Sequence, residues 1–316
     1  MRLYRFLLVL MCGNVLLQPA LAQDSLNGGM YVDYQQFFSN LSFTPVAGRS
    51  PAAIQQDLKS SAARLVEDVP PATPLSLPGA GRKTLSAEAI YARRKNSVLM
   101  VGRLKKAGAA AGISFDITGT AFAITAGGVC VTNYHVLEQI ITPREEAGRP
   151  DSAWFVITRD KRVFLINKIV SWSRNNDLAI FTLDADGARF DPLPLGKPAE
   201  EGASVYCLSH PAGYFWYFSK GIVARNAAVP GPSLATGFNP AGKKPVRMEV
   251  TADYGIGSSG GPIFDRRGNL AGIVSTTTPL GSVIRDSLGN NLGHQQMVVR
   301  DAVPVFALRQ LLGLAD

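Results

Sequence analysis

Residues 257–262 read Gly-Ser-Ser-Gly-Gly-Pro, and they lead directly into a short apolar run. Glycine permits tight turns because it lacks a Cβ, so a serine within such a turn keeps its hydroxyl exposed. Backbone N–H groups converge in the same turn and can stabilise the oxyanion of an acyl-transfer intermediate. The stretch therefore predicts Ser259 as a nucleophile, with the N–H groups of Gly257 and Ser259 as an oxyanion hole. The competing interpretation is a flexible hairpin between two strands.

Two motifs nearer the N-terminus supply the partners that a serine nucleophile needs. Residues 128–136, Gly-Val-Cys-Val-Thr-Asn-Tyr-His-Val, begin as a buried strand and end by presenting His135, a candidate general base. Residues 176–181, Asn-Asp-Leu-Ala-Ile-Phe, place Asp177 at the start of an apolar strand. A carboxylate there can hold an imidazole in the right tautomer and stabilise its charged form. Alone, His135 would be interpreted as a core histidine and Asp177 as a turn residue, but together with Ser259 they predict a catalytic triad.

The fold class follows from short runs rich in Val, Ile, Phe and Thr, which are separated by Gly, Asn, Asp and Pro. This pattern predicts strands joined by turns. Six runs precede a proline-rich break over residues 192–198, and six follow it. The runs cover residues 97–104, 115–125, 128–136, 153–160, 162–172, 177–183, 204–211, 216–225, 246–252, 262–265, 270–276 and 296–301.

Two sets of six strands predict an all-β fold of two six-stranded antiparallel barrels. The first barrel is assigned to residues 93–190 and the second to residues 191–316. Apolar residues recur at helical spacing over residues 304–314, which predicts a C-terminal α-helix on the second barrel.

Taken together, the motifs resemble the trypsin-like serine peptidase family, above all its bacterial branch that includes the HtrA-type proteases. The order His, Asp, Ser matches, and the resemblance spans roughly residues 97–312. The matching segments are residues 118–124 (Thr-Gly-Thr-Ala-Phe-Ala-Ile), 132–136, 176–179 and 257–262. The resemblance implies two perpendicular barrels with the site in the cleft between them. It also implies an endopeptidase of protein or peptide substrates that works through an acyl-enzyme, with no metal or other cofactor.

Substrate preference is an open question in this sequence. Asp253 lies six positions before Ser259, where trypsin keeps the acidic residue of its primary pocket, and this would favour Lys or Arg before the cut. Thr251-Ala-Asp253 also resembles a Thr-Asp pair that bacterial relatives use structurally. By resemblance, the substrate-binding wall of the pocket contains Ser275, Thr276 and Thr277, and an edge strand there could pair with an extended substrate backbone.

Two departures from the family bear on regulation. Ser258 occupies the place where digestive members carry the Asp that receives a newly cut N-terminal amine, so activation through that ion pair is not expected. The chain ends four residues after Leu312, which leaves no room for the peptide-binding PDZ domain of HtrA-type proteases. We therefore expect a PDZ-free protease, while the oligomeric state is left open.

The N-terminus is typical of an exported protein. Arg2 and Arg5 precede an apolar run, and Ala-Leu-Ala at residues 20–22 resembles a cleavage site, so residues 1–22 predict a signal peptide. A membrane anchor and a lipid anchor on Cys12 are the alternatives. Cleavage would leave a periplasmic or extracellular protein without stable membrane association. Residues 23–92, rich in Pro, Ala and Ser, are then expected to form a leader or linker, or a propeptide, with a small helix possible near residues 54–66.

Composition and cysteine content narrow the remaining function classes. The net charge of +8 falls by two without Arg2 and Arg5, and the remaining basic residues are dispersed, which argues against nucleic-acid binding. Cys130 and Cys207 lie in apolar stretches, which favours buried free thiols over a disulfide or a thiol nucleophile. Two other functions stay open: an esterase, because residues 257–261 also fit the α/β-hydrolase serine motif, and a trypsin-fold protein that binds without cutting.

Overall fold

The computed structural model describes residues 25–26, 31–43, 51–105, 114–142, 153–228, 245–285 and 291–314. The predicted signal peptide, with Cys12, lies outside these ranges. None of the helices within them has both the length and the apolar character that crossing a membrane requires.

The chain divides into two units, residues 1–42 and 43–316. The described elements of the smaller unit are β1 (Ser25–Leu26), β2 (Tyr31–Val32) and α1 (Tyr34–Ser39), and a short strand β3 (Ser42–Phe43) lies at the boundary. Strands β1 and β2 pair in antiparallel fashion. Helix α1 begins after Asp33, whose side chain accepts a hydrogen bond from Gln36 N at 3.1 Å and caps the helix.

Six antiparallel strands close the first barrel of the larger unit. They are β4 (Val98–Lys105), β5 (Ser114–Ala123), β6 (Val129–Thr132), β7 (Trp154–Ile157), β8 (Arg162–Ser173) and β9 (Leu178–Leu183). The hydrogen-bonded order β8-β7-β4-β5-β6-β9 returns to β8, which also pairs with β9. Fully buried side chains such as Leu99, Val156 and Phe181 fill its core. This arrangement confirms the first predicted barrel.

The second barrel has the same number of strands. They are β10 (Ser204–Ser209), β11 (Tyr217–Ala228), β12 (Val246–Val250), β13 (Pro262–Phe264), β14 (Leu270–Arg285) and β15 (Asn291–Pro304). The order β10-β11-β12-β15-β14-β13 closes because β13 pairs with β10. The predicted all-β class with two six-stranded barrels is therefore confirmed, and the α/β architecture that an esterase of the hydrolase type needs is not the architecture of this chain.

Two helices test the predicted boundaries of the barrels. The expected strand over residues 128–136 is too long, because β6 ends at Thr132 and α4 (Tyr134–Ile141) begins immediately afterwards. The physical reason is that Tyr134, Leu137 and Ile141 bury one face of a helix, a spacing of three and four residues that strand pairing cannot use. The C-terminal helix is confirmed as α5 (Val305–Leu311).

The segment before the first barrel packs on the barrels. Helix α2 (Pro51–Ala62) buries Leu58 and Ala62 in the core of the first barrel, and α3 (Ala87–Arg94) follows. Between these helices, Gly81 N donates to Asn269 Oδ1 at 2.7 Å, and Asn269 Nδ2 donates back to Gly81 O at 2.9 Å. Part of the predicted leader thus contacts both barrels.

Candidate active site

The Gly-rich stretch forms a turn with a fixed backbone. Gly257 has φ of 90° and Gly260 has φ of 83°, conformations that residues with a Cβ rarely adopt. Gly260 N donates to Val274 O at 3.0 Å, and Gly261 N donates to Ser258 O at 2.8 Å. These bonds tie the turn to β14 and argue against the flexible hairpin.

The turn also packs directly against the first barrel. Thr120 N, on β5, donates to Ser259 O at 2.8 Å, and Thr120 Oγ1 donates to Gly257 O at 2.9 Å. Thr132 Oγ1, on β6, donates to Thr120 O at 2.7 Å. The serine-bearing turn of one barrel is therefore anchored to β5 of the other barrel, and Thr132 connects β5 to the strand that leads to His135.

Two backbone N–H groups of the turn have no acceptor. Within the described ranges, the N–H groups of Gly257 and Ser259 make no hydrogen bond, whereas that of the intervening Ser258 donates to Gly255 O at 3.0 Å. Unpaired backbone donors are rare in folded proteins unless a ligand or water takes them. The two groups are the ones that the sequence predicts as oxyanion donors.

A neighbouring loop, whose role the sequence did not reveal, supports this turn. Ala212 N donates to Ile256 O at 2.6 Å, which fixes the peptide group that carries the Gly257 N–H. The same loop is anchored by His210, whose Nδ1 accepts a hydrogen bond from Trp216 N at 3.0 Å. Burial lowers the pKa of His210 to about 3, so this ring stays neutral and keeps its acceptor nitrogen.

His135 and Asp177 are brought together although 42 positions separate them in the chain. His135 Nδ1 lies 3.0 Å from both carboxylate oxygens of Asp177, and His135 N donates to Asp177 Oδ1 at 3.1 Å. The Asp177 side chain is only 12% exposed, but that of His135 is 42% exposed. The carboxylate is therefore shielded while the imidazole can be reached from solvent.

Asp177 is held by groups from both barrels. Ser275 Oγ donates to Asp177 Oδ2 at 2.6 Å, and Asn133 Nδ2 donates to Asp177 O at 2.9 Å. Asp177 itself has φ of 57°, a left-handed conformation that an Asp tolerates better than most residues. The predicted pocket-wall residue Ser275 thus also contacts the candidate triad.

Ser275 reaches Asp177 because the β14 strand bulges there. Val274 lies opposite Ala302 and Thr276 lies opposite Asp301, so Ser275 is the extra residue between two ladder pairs. A bulge changes the direction of the side chain that it carries. The sequence shows no bulge, and only the register of β14 against β15 reveals it.

Ser259 is linked to the His135–Asp177 pair through the bulge. Its Oγ donates to Ser275 O at 3.4 Å, and Ser275 Oγ donates in turn to Asp177. Across the described part of the chain, Ser259 Oγ makes no hydrogen bond to the His135 ring. Catalytic hydrogen bonds are often long or misaligned before substrate binds, so this geometry is compatible with a resting triad.

The segment before the first barrel contributes a clamp that the sequence did not suggest. Glu67 Oε1 accepts hydrogen bonds from Arg174 N at 2.8 Å and from Asn175 N at 3.2 Å, in the turn that ends at Asp177. The Arg174 guanidinium donates to Tyr134 OH at 3.0 Å, next to His135. Glu67 of the predicted leader therefore stabilises the turn that carries the Asp177 carboxylate.

The remaining predicted pocket residues lie in two segments. Thr276 and Thr277 follow the bulge on β14, and Asp253 precedes the serine turn. Thr276 Oγ1 donates to Asp301 Oδ2 at 3.5 Å, and Thr277 lies opposite Arg300. Asp253 Oδ1 forms an ion pair with Arg300 Nη2 at 2.7 Å. Thr251 Oγ1 accepts from Ile222 N at 2.9 Å, so the Thr-Asp pattern seen in the sequence has separate partners here.

The two described cysteines do not provide an alternative nucleophile. Cys130 and Cys207 are free, and each is buried in the core of a different barrel. Burial raises the pKa of Cys207 to about 12 and raises the pKa of Cys130 further. Both thiols stay protonated at neutral pH and are unreactive. In the ranges that the structure covers, no cluster of three His, Cys, Asp or Glu side chains could hold a metal ion.

The proton affinity of His135 gives a first testable prediction. Burial lowers the pKa of His135, but the hydrogen bond and charge of Asp177, together with the charge of Glu138, outweigh it, so the pKa lies above 6.5. Titration of the ring followed by NMR should place its midpoint above 6.5, and Asp177→Asn should move the midpoint below that of the parent. By linkage, the pair stabilises the fold below about pH 6.5, and this contribution is lost as pH rises through the raised pKa.

An internal control is available in the same spectra. The His210 ring should not titrate between about pH 5 and about pH 9, because its pKa is about 3. A midpoint for His135 that is unchanged in Asp177→Asn would contradict the assignment of the shift to this carboxylate.

Comparison with known proteins agrees with the geometry. The sequence family described as "Trypsin-like peptidase domain" matches residues 119–273. "Protease Do-like 5, chloroplastic" of Arabidopsis thaliana is 29% identical over 164 residues, which cover 51% of this chain and 48% of that protein. "Probable periplasmic serine endoprotease DegP-like" of Hahella chejuensis is 29% identical over 161 residues, covering 50% of this chain and 29% of that protein. The chain thus matches about half or less of the length of these relatives.

A solved structure shares the architecture. "HtrA-type protease AlgW with decapeptide" superposes with a TM-score of 0.50 and 21% identity, covering 72% of this chain and 66% of that one. At this level of identity the likeness supports the fold alone.

Proposed function

Because residues 119–273 form a trypsin-like peptidase domain homologous to HtrA/Deg-type proteases, we propose that this protein is a serine endopeptidase with His135, Asp177 and Ser259 as its triad. The observation that carries the proposal is the bidentate approach of Asp177 to His135 Nδ1, which leaves Nε2 of a half-exposed ring for the nucleophile. This is the arrangement that general-base activation of a serine requires.

The mechanism follows from these contacts. His135 Nε2 takes the proton of the Ser259 hydroxyl while the oxygen attacks the substrate carbonyl carbon, and Asp177 stabilises the resulting imidazolium. The N–H groups of Gly257 and Ser259, which have no acceptor in the described structure, bind the oxyanion. His135 returns the proton to the leaving amine, and a water molecule, activated by the same ring, then hydrolyses the acyl-enzyme. In this mechanism the Ser259 hydroxyl exchanges its hydrogen bond to Ser275 O for one to His135 Nε2.

An open strand edge supports an extended peptide as the substrate. Beyond Ile273, β14 pairs with β15 alone among the described strands, because the pairing of β13 with β14 ends there. An extended chain could add along residues 275–278 through backbone hydrogen bonds. The AlgW structure named above contains a decapeptide, and we infer that this chain likewise takes protein or peptide substrates.

Activation through a new N-terminal amine is not part of the proposed function. Ser258 is fully buried, and its Oγ accepts hydrogen bonds from Ser209 Oγ at 3.0 Å and from Gly255 N at 3.3 Å. A neutral hydroxyl with these partners offers no charge to an ammonium group. We infer export to the periplasm or beyond from the signal sequence, and one relative is itself named as periplasmic.

Labelling with a fluorophosphonate probe tests the function. The purified protein should react at Ser259 within minutes, and Ser259→Ala should lose the labelling because the nucleophilic oxygen is absent. Ser258→Ala is the matched control, since it removes the adjacent hydroxyl that faces Ser209 and should still label. Absence of Ser259-dependent labelling would contradict the protease proposal and would favour a trypsin-fold protein that binds without cutting.

A further inference from the structure

The acidic residue near the candidate primary pocket already has a cationic partner. Asp253 Oδ1 lies 2.7 Å from Arg300 Nη2, and Arg300 Nε donates to Tyr254 O at 3.4 Å. The guanidinium is therefore held by a carboxylate and by a backbone carbonyl at once. The Arg300 side chain is 21% exposed, whereas that of Asp253 is 65% exposed.

Arg300 lies on the strand that borders the predicted pocket wall. On β15 it is the cross-strand neighbour of Thr277, two residues beyond the bulged Ser275. Asp253 and Tyr254 belong to the segment that leads into the serine turn, so their contacts with Arg300 join that segment to β15. The ion pair thus lies between the two segments that the sequence assigns to substrate recognition.

The neighbouring carboxylate of Asp301 does not add a negative charge beside Asp253. Asp301 follows Arg300 on the strand, and successive side chains of a strand point to opposite faces. Its carboxylate accepts from Thr276 Oγ1 and is close to Arg247, and partial burial raises its pKa. On the face of β15 that Arg300 shares with Asp253, the ion pair therefore neutralises the Asp253 carboxylate, and Asp301 adds no negative charge there.

We propose that Arg300 is a specificity-determining residue that occupies Asp253 and makes the primary pocket reject Lys and Arg in favour of an uncharged side chain. The inference rests on the proposed function and adds its substrate class. A Lys or Arg side chain entering the pocket would have to displace Arg300 from Asp253 and would meet a like charge, which is how binding sites exclude wrong partners. An uncharged side chain leaves the pair intact.

Benzamidine, a small aromatic cation, tests the proposal without requiring turnover. Titration calorimetry should give an affinity for Arg300→Gln at least about 10-fold higher than for the parent protein, because Asp253 becomes free to pair with the amidinium. The double variant Arg300→Gln/Asp253→Asn should lose this gain. Equal affinities of Arg300→Gln and the parent would overturn the proposal.

A peptide library supplies the second measurement. The parent should cleave after uncharged residues, and Arg300→Gln should gain cleavage after Lys and Arg, while Asp253→Asn, which leaves Arg300 unpaired, should gain cleavage after Asp and Glu. Cleavage after Lys and Arg by the parent would overturn the assignment. Because Asp253→Asn and Arg300→Gln predict opposite gains, either variant alone decides the question if the other fails to fold.

The two proposals fail separately. Absence of fluorophosphonate labelling of Ser259 in the parent would remove the protease function. A gain in benzamidine affinity on Arg300→Gln would still support Arg300 as the residue that neutralises Asp253.

Discussion

Replacing His135 with alanine should lower kcat for peptide cleavage by about 10⁶, because the change removes the base that activates Ser259. The fold should survive the substitution. The imidazole is 42% exposed, and the Asp177 carboxylate that it leaves behind still accepts hydrogen bonds from Ser275 Oγ and from the backbone N–H of residue 135. Steady-state kinetics on a fluorogenic peptide, with urea unfolding as a check on stability, measure both quantities.

Asp177→Asn provides a graded comparison for this result. An amide can still contact the ring, but it offers an N–H where the carboxylate accepted one, which favours the wrong tautomer, so kcat should fall by roughly 10⁴. KM should change little in both variants because neither side chain belongs to the strand edge that we assign to the substrate. A loss below about 10² for His135→Ala would be too small for a general base and would contradict its role.

The sequence predicts the candidate triad because each of its three residues lies in a short local motif. A serine in a Gly-rich turn, a histidine after a buried strand and an aspartate at the start of another strand can each be recognised from a few neighbouring residues. The number of strands was also predictable, because alternation of apolar residues between turn residues is a local signal. The exception is α4, because the predicted strand continued to residue 136, whereas burial of one helix face makes residues 134–141 helical.

The contacts that tune the site were not predictable because they join distant segments. Glu67 reaches the turn before Asp177 across 107 positions, and Arg300 reaches Asp253 across 47. Such pairs depend on how the barrels and the preceding segment pack, and no local propensity encodes that packing. The Ser275 bulge is a subtler case, since a shift of one residue in strand register re-aims a side chain while the sequence pattern stays the same.

The close packing of the two barrels at the serine turn explains why a residue without a side chain stands next to Ser259, the proposed nucleophile. A Cβ on Gly260 would lie 2.2 Å from Thr120 O and 2.2 Å from Thr132 Oγ1, and 3.0 Å from Thr132 Cα. Two of these atoms belong to the backbone of the first barrel and cannot rotate away. The hydrogen bond from Thr120 N to Ser259 O, which anchors the turn, depends on this close approach.

Gly260→Ala should therefore destabilise the protein by about 4–5 kcal/mol, at the high end of single substitutions, because the barrels must separate locally to admit the methyl group. The positive φ of 83° adds a conformational cost to this clash. Urea unfolding followed by circular dichroism measures the change in the free energy of unfolding. We also expect weaker fluorophosphonate labelling, since the Ser259 carbonyl loses its anchor.

Gly202→Ala separates the clash from the backbone strain. Gly202 has φ of 81°, nearly the same as Gly260, but a Cβ there would meet no atom within 4 Å. Its substitution should cost only the left-handed conformation, roughly 1–2 kcal/mol. The excess loss in Gly260→Ala then measures the contact between the barrels. Equal losses in the two variants would mean that backbone conformation, and not close packing, requires glycine beside Ser259.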